Sequence, residues 1–129
     1  MKSILLTILM TILGVESHAQ EYFHVQKTQL IDAAGQPFII AGVNNPHAWL
    51  GEKAYQALDD IAATGANTLR IVWHTRGQAA ELERVIERCI ALKMIPMVEL
   101  HDVTGNSSGE RLLDMVRYYA REDVKTVLM

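Results

Sequence analysis

Three histidines stand 27 residues apart, His47, His74 and His101, and each follows an apolar stretch with the character of a strand. Phe38 to Val43 runs into Asn44-Asn45-Pro46-His47-Ala48-Trp49, and Thr68 to Val72 runs into Trp73-His74. Ile95-Pro96-Met97-Val98-Glu99-Leu100 runs into His101-Asp102-Val103-Thr104-Gly105. Polar side chains at the carboxyl ends of successive strands are where barrel enzymes place their chemistry. Two chemistries suit this set. Imidazoles from several strand ends can hold zinc, as in a metal-dependent barrel hydrolase. Against that, such hydrolases carry two histidines one residue apart on the first strand, where this chain offers His47 alone, so no metal ligand is assigned. The other chemistry is recognition of a hydroxyl-rich ligand. His47, His101 and Asp102 would hydrogen-bond it, and the only two tryptophans, Trp49 and Trp73, would stack on the C–H faces of sugar rings. His74 is read as an exposed rim residue.

Strand parity sorts the charged groups. If Leu69 and Ile71 face surrounding helices, Arg70 points into the barrel; if Val98 and Leu100 face helices, Glu99 and His101 point inward. A lone charge there is costly unless paired. Arg70 therefore requires a carboxylate, either Glu99 on the neighbouring strand or one outside this sequence. It is either half of a structural pair or an arginine that orients a catalytic carboxylate, and its place near a strand end favours the second.

Amphipathic helices separate the strands. Ala54, Leu58, Ile61 and Ala62 predict a helix over about Glu52 to Thr64, with Gly65 as its left-handed cap. Leu82, Val85, Ile86, Cys89 and Ile90 predict a second over about Ala79 to Leu92. Ser107 and Glu110 form a capping box for a third over Leu112, Leu113, Val116, Tyr119 and Ala120, and Asp123 starts a short one through Leu128. Ahead of them, Leu30 to Ile39 reads as a hairpin turning at Asp32 and Gly35. Strand and helix in alternation predict parallel βα crossovers, three units where a complete barrel of ~250 residues has eight. The expected fold is thus the N-terminal portion of a (β/α)8 TIM barrel, about three βα units with a lead-in hairpin. Such a piece is expected to be marginally stable or prone to aggregate through its open edges.

Residues 1–19 read as a signal peptide: Lys2, an apolar run from Ile4 to Val15, then Ser17 and Ala19 at the positions that precede cleavage. The run is shorter than the ~20 residues a membrane span needs. A secreted or periplasmic protein is expected, with residues 20–129 as an incomplete barrel domain and no membrane association after cleavage. A net charge of −3 argues against nucleic acid as a partner. The single cysteine, Cys89, falls on the helical stripe and is read as a core residue.

Gly42 to Trp49, Ala63 to Val72 and Glu99 to Gly105 together resemble glycoside hydrolase family 5, most of all its bacterial endo-β-1,4-mannanases and related cellulases. The resemblance covers nearly all of Tyr22 to Met129, including the lead-in hairpin. It implies a (β/α)8 barrel and hydrolysis of β-1,4-linked mannan or glucan with retention, by two strand-end glutamates about 5–5.5 Å apart and without a cofactor. In the family these end the fourth and seventh strands, so no catalytic residue is present among these 129 residues, and the chain alone is expected to be inactive. The resemblance makes Arg70 the arginine that orients the nucleophile, His101 a cleft histidine, and Asn44, His47 and Trp49 the sugar-contacting first-strand rim. Ala41 and Asn45 depart from it, standing where Arg and His are common. A rival reading is a non-catalytic, sugar-binding or self-associating partial barrel.

Overall fold

The structure is a computed structural model that describes residues 22–102 and 109–128. Residues 1–19, where a signal peptide is expected, the Val103-Thr104-Gly105 loop and the Ser107 half of the capping box lie outside them. The chain divides into two units at Ile39/Ile40.

In the first unit, β1 (His24–Gln26) and β2 (Gln29–Ile31) pair antiparallel. This earlier hairpin, which the sequence did not announce, turns at Lys27, which adopts φ 57°. The Asp32–Gly35 segment forms its own tight turn: Asp32 Oδ1 accepts from the backbone N–H of Ala34 (2.9 Å) and Gln36 (2.8 Å). Its arms pair antiparallel as expected: Ile31 bridges Pro37, the Phe38 N–H donates to the Leu30 carbonyl at 2.8 Å and the Asp32 N–H to the Gln36 carbonyl at 2.9 Å, with Gly35 left-handed at φ 76°. Proline cannot donate to a ladder, and the strand expected from Phe38 begins at Gly42 instead.

The second unit is a three-stranded parallel sheet in the order β3 (Gly42–Asn45), β4 (Thr68–Trp73), β5 (Ile95–Leu100). Between β3 and β4 lie α1 (His47–Leu50), α2 (Glu52–Gln56) and α3 (Leu58–Ala63). The expected single helix over 52–64 is thus broken at Ala57, and an extra turn precedes it. Gly65, at φ 86°, closes α3 in the left-handed region that a β-carbon disfavours. α4 (Ala79–Ala91) connects β4 to β5, and α5 (Gly109–Ala120) and α6 (Glu122–Leu128) follow.

The core lies between the outer face of the sheet and the helices. Leu69 and Ile71 of β4 meet Leu58, Leu82, Val85, Ile86 and Cys89, with Tyr118 and Val124 from α5 and α6. Ile90, expected on the α4 stripe, is instead 61% exposed. Cys89 is fully buried, and burial pushes its thiol up to about 11, which keeps it an unreactive apolar filler. β4, flanked on both sides, is buried along its length except at Arg70. β5 has an open edge: Ile95 and Met97 are exposed, as are Leu112, Leu113 and Val116 of α5.

Candidate functional site

Register fixes which side chains share the concave face. Asn44 pairs with Arg70 and Arg70 with Met97, while Val72 pairs with Glu99. Residues in register lie on one face of a parallel sheet, so Asn44, Arg70 and Glu99 stand on the face opposite the core, as parity predicts. The Arg70 Nη2 lies 3.2 Å from Glu99 Oε2. The same carboxylate lies 3.0 and 3.2 Å from His101 Nδ1 through its two oxygens. Arg70 thus has its expected partner within the chain, and that partner is shared. Beyond His101 stands Trp49, edge to face with the imidazole at 5.3 Å. Its indole is 64% exposed at the end of the sheet. An ordered line of groups, Arg70–Glu99–His101–Trp49, runs from the concave face to the rim.

At the rim the groups border a groove of about 440 Å³ lined by Trp49, His74, Thr75, His101, Asp102 and Arg111 among others. Asp102 shapes its wall. Its Oδ2 accepts from the Thr75 N–H (2.9 Å) and its Oδ1 from the Thr75 hydroxyl (2.8 Å). Arg111 reaches back to the Asp102 carbonyl at 3.2 Å. The segments that follow β4 and β5 are thereby clamped together. Thr75 was not foreseen, because no spacing rule links it to a residue 27 positions away.

Two expected sugar contacts stand elsewhere. Trp73 is 6% exposed and packs in the helix layer. Its Nε1–H donates to the Tyr118 hydroxyl at 2.8 Å. The reason is parity: Trp73 shares a face with Leu69 and Ile71, which the sequence assigned to the helices, so the signal was present. His47 is also 6% exposed. Its ring lies 6.1 Å from that of Trp73, and neither ring nitrogen makes a well-formed hydrogen bond. Burial lowers its pKa from 6.5 to about 4, an effect the Asn45 backbone offsets only in part. The cause is α1: the chain leaves the strand at Pro46 and turns helical at once, which folds His47 inward and sends Trp49 outward. The three histidines do not converge, and among the described residues no group of three or more His, Cys, Asp and Glu side chains is placed to hold a metal ion. Asn45 is buried as well, and its Nδ2 donates to the Ala54 carbonyl at 3.0 Å, tying β3 to α2.

Tyr118→Phe would leave the buried Trp73 N–H without its acceptor. The expected cost is about 1–3 kcal/mol, read as a lowered midpoint in thermal unfolding. An unchanged midpoint would show that α5 is not held through this bond.

No family model matches the sequence. Among curated proteins, the chain is 41% identical over 102 residues to a mannan endo-1,4-beta-mannosidase from Salipaludibacillus agaradhaerens, covering 75% of this chain and 33% of that protein. It is 40% identical over 105 residues to the enzyme of the same name from Cellvibrio japonicus, covering 75% of this chain and 24% of that one. Among solved structures, the catalytic domain of a mannanase from Streptomyces sp. SirexAA-E superposes with a TM-score of 0.72 at 30% identity, over 95% of this chain and 40% of that chain. A beta-mannanase from Streptomyces thermolilacinus gives 0.73 at 33% identity, over 83% and 38%. The chain spans a quarter to a third of the length of these curated relatives.

Proposed function

We infer from the chain's kinship with the mannanases of glycoside hydrolase family 5 type that its three βα units form the mannan-facing rim of a retaining endo-β-1,4-mannanase barrel. The observation that carries this reading is the line Arg70–Glu99–His101–Trp49. It combines an exposed indole, which can stack on a sugar ring, with a hydrogen-bonding imidazole beside it and a cationic group on the concave face. Neutral, hydroxyl-rich chains are the ligand class such a groove fits. Mannan is preferred to β-glucan because the sequence relatives are mannanases. The leader supports export to the periplasm or medium.

The proposed division of labour is specific. Trp49 and His101 hold sugar; Arg70 supplies positive charge beside which a carboxylate stays ionised. Asp102, with both oxygens engaged by Thr75, sets the shape of the groove. The two glutamates that the retaining mechanism requires are not among these strand ends. Binding that does not favour the transition state leaves the rate of glycoside cleavage unchanged, so the 129 residues are expected to release no reducing sugar from mannan.

Mannohexaose titration tests the reading. Trp49 fluorescence is expected to respond while the buried Trp73 acts as an internal reference. Trp49→Ala should weaken binding about tenfold, equivalent to ~1.4 kcal/mol. A flat titration, or an equal response to cellohexaose, would count against a mannan-facing rim, and reducing-sugar release would contradict the inactivity. The open β5 edge and the exposed Leu112, Leu113 and Val116 favour self-association as a second reading, which sedimentation reads directly.

A further inference from the structure

We propose that Glu99 is a positioning residue that fixes the tautomer of His101 and so makes its Nε2 an acceptor for a sugar hydroxyl. The proposal rests on reading the groove as a mannan cleft. An ionised carboxylate can only accept hydrogen bonds. Both Glu99 oxygens stand within 3.2 Å of His101 Nδ1, so that nitrogen must carry the proton. In the neutral ring the proton is then absent from Nε2. Of a ligand's polar groups, Nε2 selects a hydroxyl that donates.

Arg70 makes the arrangement durable. At 3.2 Å from Glu99 Oε2 it holds the carboxylate from the other side. Glu99 is thus gripped between the guanidinium and the imidazole, and it cannot swing away without losing the charge-assisted bond to Arg70 and the Nδ1–H of His101. The ring plane that results is the one Trp49 meets edge to face. Glu99 acts on the groove through the imidazole. Its side chain is 28% exposed, against 26% for His101, so the pair is shielded but open to substitution without a large void.

The test is the nitrogen shift pattern of His101 in the full chain labelled with 15N-histidine, at about pH 8, above the ordinary histidine range. His101→Asn identifies the signal. Wild type is expected to show a protonated Nδ1 and a bare Nε2. Glu99→Ala should invert the pattern to Nε2–H, and Glu99→Gln, whose amide oxygen still accepts, should restore Nδ1–H. Glu99→Ala also strands Arg70, so the double variant Arg70→Met/Glu99→Ala is measured beside it and must show the same inversion. Wild-type Nε2–H, or a pattern unmoved in both alanine variants, would overturn the proposal. A wild-type Nδ1–H signature with no response to mannohexaose would sink the mannan reading instead and leave the role of Glu99 standing.

Discussion

Gly42→Ala is expected to unfold the rim, because there is no room for a β-carbon where β3 meets β4. An added Cβ would lie 2.2 Å from the Thr68 carbonyl oxygen and 2.9 Å from its carbon. Those are backbone atoms of the buried central strand, and they cannot rotate aside as a side chain could. Relief requires β3 to separate from β4, and the Asn67–Ala41 bonds that start the pairing lie immediately beside the clash: the Asn67 N–H donates to the Ala41 carbonyl and its Oδ1 accepts from the Ala41 N–H, both at 2.8 Å. Overpacking in cores costs about 1–3 kcal/mol, and the rigid neighbour places this substitution at the top of that range or above. The loss extends beyond stability, since β3 delivers the Asn45 tie to α2 and then Trp49. Thermal unfolding of Gly42→Ala against Val43→Ala provides the check. Val43 is 42% exposed, and its truncation should stay within about 0.5 kcal/mol, as surface changes do. Equal midpoints would mean that the strands do not approach this closely.

Acid should weaken the fold through His47. Its pKa is lowered from 6.5 to about 4 because the charged ring is poorly solvated where it lies. Between those values the unfolded chain binds a proton at this residue and the folded chain does not, so stability rises with pH across that window. Read downward, the contribution is intact above about pH 6.5, falls through the window, and is lost below about pH 4, where both states are protonated. The total is about 3 kcal/mol. Exposed carboxylates such as Glu52 and Asp123, held low by Arg84 and Arg121, add their own acid dependence at lower pH. The difference between wild type and His47→Gln removes it. The expected result is a glutamine variant whose stability falls less steeply between pH 7 and pH 4. Parallel curves would show that the wild-type imidazole gains solvent or a partner.

Both effects concern residues whose neighbours are remote in the chain, and that is where legibility in the sequence ended. The β5 boundaries, the α4 span, the left-handed cap at Gly65 and the inward placement of Arg70 and Glu99 were all readable, because each depends on local periodicity or on one residue's backbone preference. Trp73 was readable too, since it continues the alternation of Leu69 and Ile71. The turn at Asp32–Gly35 was readable from its composition and is present, while the earlier turn at Lys27, with no glycine to mark it, was not.

What the sequence determined by itself was the order of strands and helices and the face on which each strand residue stands, because a strand repeats every two residues and a helix every 3.6. The tertiary structure alone decided the roles at the rim. Past Pro46 the chain leaves the pleat, so alternation no longer says that His47 turns into the core and Trp49 out of it. Nor does any spacing reveal that Thr75 occupies both oxygens of Asp102, or that Tyr118 caps an indole 45 residues away. Those partners are chosen by which helix packs over which strand end, a property of the assembled layers rather than of any segment within them.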